Sequence, residues 1–271
     1  MDSIFDISGK VCVITGGSGV LGGTVATYLL KQNARVVILG SDRKRLDNKL
    51  KELLFAGDQV EGYVCDVLDR DKVQETCDLI VKKWGGIDVL LNAAGGNLPG
   101  ATIADDKNIF DMKLDDFRKV TDLNLSGTLI PSLIFGKVMI KSGKGVIINY
   151  SSMAALQVIT RVVGYSASKA AVTNLTKWMA TEFALKFGDK LRVNAVAPGF
   201  FIGNQNRSLL LNEDGSLTER GKKIIDNTPM KRFGEAEELN GVIHWLISDA
   251  ASFVTGAVIP VDGGFNVYSG V

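Results

Sequence analysis

Seven short runs rich in Val, Ile and Leu recur along the chain, with helical stretches between most neighbours. They fall at residues 11–15, 35–39, 62–65, 88–91, 146–149, 191–196 and 257–261. Apart from 191–196, where Arg192 and Asn194 interrupt the apolar residues, none alternates apolar with polar, as a half-solvated strand would, so both faces must be covered, as in a parallel sheet. The spacers at 21–32, 42–56, 69–84, 114–141, 165–187 and 236–247 place apolar residues at helical intervals. Strand–helix alternation implies right-handed crossovers and one doubly wound α/β sheet of seven parallel strands with helices on both faces. No linker, repeat or low-complexity segment divides the 271 residues, so a single domain over 1–271 is expected. Two connections, 95–113 and 199–223, are long for such a fold and leave the carboxyl ends of strands, where open sheets bind ligands.

Composition removes several functions. Lys and Arg number 31 against 30 Asp and Glu, a net charge of +1, which gives no footprint for nucleic acid or an anionic membrane. With one histidine, His244, and Cys12, Cys65 and Cys77 widely spaced, neither a zinc site nor a histidine-based triad is expected, and no metal. His244 sits in an apolar helical stretch and reads as structural. The unpaired cysteines and the acidic start suit a cytoplasmic protein without a signal peptide. Residues 11–30 are uncharged and long enough to span a bilayer, but five clustered glycines make them strand, turn and helix.

The turn Thr15-Gly-Gly-Ser-Gly-Val-Leu-Gly22 lies between the first strand and helix. Gly17, Gly19 and Gly22 fit the dinucleotide fingerprint of a Rossmann-type fold, in which glycines let the backbone approach a pyrophosphate at a helix N-terminus. The second strand should then end on an acid for the ribose hydroxyl of NAD. It ends Leu39-Gly40-Ser41-Asp42-Arg43, with Gly40 at the acidic place and Asp42 at a helix N-cap position. Ser41 and Arg43 would accommodate a 2′-phosphate, which favours NADP, while Asp42 folded back onto the ribose would favour NAD.

Tyr165 and Lys169 stand four residues apart on one helix face. An ammonium beside a phenol favours the phenolate, so the pair is read as lowering the Tyr165 pKa and making it an acid/base. Ser152, at the end of the fifth strand, could hold a reacting carbonyl oxygen.

Taken with Asp66, Asn92-Ala-Ala-Gly95, Asn124 and Pro198-Gly199, these residues resemble the short-chain dehydrogenase/reductase family over essentially the whole length. The resemblance implies that Tyr165 donates the proton, Ser152 positions the carbonyl, Lys169 binds the nicotinamide ribose and Asn124 holds a relay water. It places Gly16, Gly17, Ser18, Val20, Leu21, Gly40, Ser41, Arg43, Asp66, Val67, Asn92, Ala93, Ala94, Pro198, Gly199 and Phe201 around the cofactor, with Asp66 and Asn92 near the adenosine. The residues themselves suggest that Phe200 and Phe201 are packing groups. Two departures stand out: Val20 replaces a pattern glycine, and Gly203 replaces a threonine that touches the nicotinamide carboxamide.

Asn92-Ala-Ala-Gly-Gly-Asn97, Pro198-Gly-Phe-Phe201 and the segments 204–210, 212–221 and 263–271 further resemble the D-mannonate oxidoreductase (fructuronate reductase) subgroup. That implies a sugar-acid substrate such as fructuronate. An arginine can bind its carboxylate bidentately and amides suit its hydroxyls, so Asn97, Ser152, Arg161, Asn204, Asn206 and Arg207 are the candidate substrate contacts. The alternatives are another substrate (a gluconate, a keto-deoxy uronate, a 3-oxoacyl thioester) or a non-catalytic nucleotide sensor. The long helices at 114–141 and 165–187 imply a homo-oligomer, a dimer or tetramer.

Overall fold

The computed structural model describes residues 3–104, 106–203 and 206–270. Its strands are β1 (Val11–Thr15), β2 (Arg35–Gly40), β3 (Val60–Val64), β4 (Val89–Asn92), β5 (Gly145–Tyr150), β6 (Leu191–Pro198) and β7 (Val258–Val261). All pair in parallel, in the order β3-β2-β1-β4-β5-β6-β7. The chain winds outward from β1 through β2 and β3, then crosses back to pair β4 on the other edge of β1. That reversal opens a crevice at the carboxyl ends of β1 and β4. Thr15 is in register with both Leu39 and Asn92, so three strand ends are level at the crevice.

The helices are α1 (Val20–Lys31), α2 (Arg43–Leu54), α3 (Arg70–Trp84), α4 (Leu114–Thr121), α5 (Gly127–Ser142), α6 (Val163–Phe187), α7 (Arg207–Leu210), α8 (Glu219–Asp226) and α9 (Asn240–Ile247). Successive strand residues feed opposite faces. Cys12 and Ile14 join Val25, Leu29, Ile243 and Leu246 under α1 and α9, while Val11 and Val13 join Ile80, Phe135 and Met179 under α3, α5 and α6. Both faces are largely apolar, which is why the strands other than β6 show no alternation. Each fully buried aliphatic side chain contributes about 1.5–3 kcal/mol. Asp42 and Asp69 cap α2 and α3 by accepting from Arg45 N at 2.9 Å and Lys72 N at 3.0 Å, each worth about 1 kcal/mol.

All seven strands form, β3 beginning two residues before its expected start. Residues 11–30 fold as strand, turn and helix. Among the described residues, the helix Leu114–Ser142 is the one long and apolar enough to cross a membrane by length and composition, and half of its most apolar window is buried. The 199–223 connection is more ordered than its sequence suggests: α7 and most of α8 lie in it, joined by an antiparallel bridge between Leu211 and Leu217. A four-residue helix and an eight-residue one show too few turns to establish a period.

Candidate active site

The turn after β1 is wedged between its two neighbours. Gly16 has φ +65°, and a Cβ there would lie 2.8 Å from the Ala94 nitrogen. A Cβ on Gly17 would lie 2.6 Å from Cγ2 of the buried Ile38 in β2. The Thr15 hydroxyl fixes the exit of β4 by accepting from Ala94 N at 3.1 Å. α1 starts at Val20 behind Gly19, and no side chain caps its first turn. Uncapped amides and the positive end of the helix favour an anion there. Val20 and Ser18 are at least partly exposed, as is Leu21. The cradle fits a dinucleotide pyrophosphate.

At the adenosine end, Gly40 is buried, and a Cβ there would press on the Ser18 hydroxyl at 2.9 Å. Ser41 is exposed beside it. Asp42 does not fold back, because its carboxylate accepts from Arg45 N in its capping role. Arg43 is exposed and its Nε donates to Asp47 at 2.9 Å within α2. Asp66 is exposed at the end of β3 and accepts from Leu68 N at 3.0 Å, while Val67 is buried against Gly127. Two expectations are corrected. The Asn92 side chain does not reach an adenosine ribose: strand parity turns it into the interior, where Nδ2 donates to Ser132 Oγ at 2.8 Å and Asn149 Oδ1 at 2.9 Å. The Phe201 ring is buried in the α1/α9 core and packed on Gly234, so it is a packing residue. At the exit of β4, the Ala93 side chain packs against the α1/α9 core. Pro198 ends β6 opposite Val261, and a Cβ on Gly199 would lie 2.7 Å from Asp262 Cα.

The proton-transfer group assembles where β5, α6 and the π-helical turn Asp122–Ser126 meet. Lys169 is 3% exposed and its Nζ donates to the Tyr150 carbonyl, the last of β5, at 2.7 Å. Nζ stands 5.6 Å from the Tyr165 ring centroid. Burial holds the Lys169 pKa down at about 8. The expected depression of the phenol is corrected. Burial raises the Tyr165 pKa, and the opposing pull comes from the hydrogen-bonding influence of Ser152. The Ser152 hydroxyl itself accepts from Ala154 N at 3.1 Å. The Asn124 side chain is held by three bonds: Nδ2 donates to Gly96 O at 2.7 Å and Val120 O at 2.8 Å, and Oδ1 accepts from Gly96 N at 3.1 Å. It therefore fixes the start of the 95–113 loop. The carbonyl of Tyr150 has no sequence signature, so the partner of Lys169 was not legible.

The substrate candidates separate. Asn97 Nδ2 donates to Thr102 Oγ1 at 2.8 Å. Arg161 has φ +77° and its Nε donates to Ile103 O at 3.1 Å. Asn206 is a loop staple, donating to Phe201 O at 2.8 Å and accepting from Gly203 N at 2.7 Å, so its amide is not offered to a substrate. Arg207 is exposed at the start of α7, with no ion pair among the described residues. Asn204 lies outside the described residues. His244 is structural, its ring nitrogens bonded to Tyr28 OH at 2.9 Å and Phe5 O at 2.7 Å.

The chain matches the family described as enoyl-(acyl carrier protein) reductase over residues 18–266. It is 43% identical to an uncharacterized oxidoreductase, UxuB, of Bacillus subtilis, covering 98% of each. It is 37% identical to a 3-oxoacyl-[acyl-carrier-protein] reductase of Thermotoga maritima, covering 95% of this chain and 98% of that one. Among solved structures, a candidate D-mannonate oxidoreductase from Haemophilus influenzae with bound NAD superposes with a TM-score of 0.91 at 39% identity over 98% of both chains. Glycine cradle, buried lysine and family match agree: the chain belongs to the short-chain dehydrogenase/reductase family and is an NAD(P)-using oxidoreductase of alcohol and keto groups.

Proposed function

We propose that the protein interconverts a keto sugar acid and its hydroxy acid, with fructuronate and D-mannonate as the foremost pair. The observation that carries this reading is Arg207, an exposed guanidinium in the loop after β6 with no ion-pair partner among the described residues. It offers a planar, bidentate partner to a carboxylate. The similarity to the candidate D-mannonate oxidoreductase supports the same substrate.

A nicotinamide dinucleotide bound by the glycine turn after β1, the exit of β4 and Pro198–Gly199 would supply the hydride in reduction and take it in oxidation. The residues handle the proton. Burial keeps the Tyr165 phenol protonated at neutral pH, ready to donate to the substrate oxygen that Ser152 holds. Lys169, with a pKa of about 8, can exchange a proton near neutrality below the phenol ring. Gly40 in place of an acid, with Ser18, Ser41 and Arg43 around it, favours NADPH over NADH.

Initial rates of nicotinamide oxidation with fructuronate, run separately with NADH and NADPH, test the reading. Turnover is expected with both and faster with NADPH. No turnover from protein shown to bind the cofactor sinks the substrate, and other keto acids then neutral ketones follow. We also propose a cytoplasmic homo-oligomer, dimer or tetramer, consistent with three free buried cysteines and with Leu133 of α5 and Trp178 and Leu185 of α6 exposed. A monomer at micromolar concentration in light scattering would refute the assembly.

A further inference from the structure

The segment between Ser152 and Tyr165 touches three other parts of the molecule through single polar side chains. Arg161 grips Ile103 twice: its carbonyl accepts from Ile103 N at 2.9 Å, and its Nε donates to Ile103 O at 3.1 Å. Next to it, Thr160 O accepts from Arg220 of α8 at 3.4 Å. Four residues earlier, Gln157 Nε2 donates to Asn266 O at 2.9 Å, which brings in the C-terminal segment. The 95–113 loop is thus anchored at both ends of its first stretch, at Gly96 by Asn124 and at Ile103 by Arg161.

The grip is bought with an unfavourable backbone. Arg161 has φ +77°, one of three positive-φ non-glycine residues among those described. Such strain persists only where surroundings over-determine it, and it collects near functional sites. The left-handed turn aims the Arg161 carbonyl and side chain at the same residue.

We infer that Arg161 is a positioning residue, which locks the 95–113 wall to the frame carrying Ser152 and Tyr165 through its Nε and carbonyl, and is not the receptor of a substrate carboxylate. The inference rests on Ser152 and Tyr165 being the proton-transfer pair, and is independent of which acid or alcohol is turned over.

Two substitutions separate the roles. Arg161→Gln places an amide nitrogen the same number of bonds from the backbone as Nε, keeping a donor for Ile103 O while removing the charge. Arg161→Met keeps length and removes the donor. Both are compared with Arg207→Ala and Tyr165→Phe, using one acidic substrate and its neutral sugar-alcohol counterpart, and by hydrogen exchange at the Ile103 amide. Arg161→Met is expected to lose at least tenfold in kcat, with KM changed equally for both substrates and faster exchange at Ile103. Arg161→Gln should stay within threefold of the parent protein in every readout. Arg207→Ala should raise KM about tenfold for the acid alone, and Tyr165→Phe should abolish turnover of both.

A tenfold rise in KM for the acid alone in Arg161→Gln would make Arg161 a carboxylate ligand and overturn the inference. Parental kcat and exchange in Arg161→Met would overturn it as well. If only the neutral substrate is turned over, the sugar-acid reading fails while kcat and exchange still decide the role of Arg161. The exchange comparison needs no substrate. If Arg161→Met fails to fold, a threefold or larger loss of kcat in Arg161→Gln at unchanged Ile103 exchange overturns the inference.

Discussion

The two sides of the ligand crevice are built by opposite means. On the dinucleotide side, glycines are forced by close approach: Gly16 lies against the Ala94 backbone, Gly17 against the Ile38 side chain and Gly199 against the Asp262 backbone, and a methyl group at any of them would collide. On the substrate side, loops are held by polar side chains, Asn97 bonding to the Thr102 side chain, Arg161 to the Ile103 carbonyl, and Asn206 to the Phe201 carbonyl and the Gly203 amide. A wall of the first kind tolerates few residue types, so it binds one invariant piece of chemistry. A wall of the second kind can be rewired by changing one side chain, and that is where substrate choice is free to vary.

Lys169 is where the two sides meet, and it gives the largest expected effect. An unfolded lysine titrates near 10.5, whereas burial brings Lys169 to about 8. Below pH 8 both states hold the proton, and the folded state carries the whole cost of a buried ammonium, about 3 kcal/mol. Between pH 8 and 10.5 the unfolded chain holds more protons, so this group's contribution to stability rises with pH. Lys169→Met removes the titration and leaves the Tyr150 carbonyl without its donor, a pH-independent cost of about 1–3 kcal/mol. The stability difference between the two proteins, from denaturant melts, should be flat below pH 8. It should then move about 3 kcal/mol in favour of the lysine protein by pH 10.5. A flat difference throughout would mean that Lys169 is not desolvated, and that the rigid side of the crevice stops short of it.

The same contrast explains what could be read from the sequence. The sheet was legible because unalternated apolar runs have one stable home, and the glycine turn because its residue types are forced by close approach. Tyr165, Lys169 and Ser152 were legible as a constellation, but their electrostatics were not. The lysine was expected to lower the phenol pKa, and burial, which no local pattern encodes, raises it instead. Asn92 was misplaced for a related reason: a polar residue at a strand end was assigned to the crevice, while parity sends it into a buried network with Ser132 and Asn149. Asn206 and Arg161 looked like ligand groups because an amide staple and an amide receptor have the same sequence signature. Their partners, Phe201, Gly203 and Ile103, are recognised through backbone atoms that every residue shares.

Two glycines make the contrast measurable within one chain. Gly17 and Gly203 both flank the crevice, one on each side. A Cβ on Gly17 would sit 2.6 Å from Ile38 Cγ2 and 3.1 Å from Ile14 O, and Ile38 is fully buried with no room to retreat. Gly17→Ala should therefore cost about 1–3 kcal/mol as an overpacked core does, lower Tm and weaken nicotinamide dinucleotide binding. At Gly203 the nearest atom to a Cβ among the described residues is Asn206 Oδ1 at 3.8 Å, and the backbone is not in the left-handed region. Gly203→Ala should fold as well as the parent and gain about 0.4–1 kcal/mol, because alanine narrows the unfolded ensemble. Thermal melts with and without dinucleotide measure both. Equal losses at the two positions would show that the loop after β6 is packed as tightly as the glycine cradle. In that case the freedom assigned to the substrate wall would have to lie in the 95–113 loop alone.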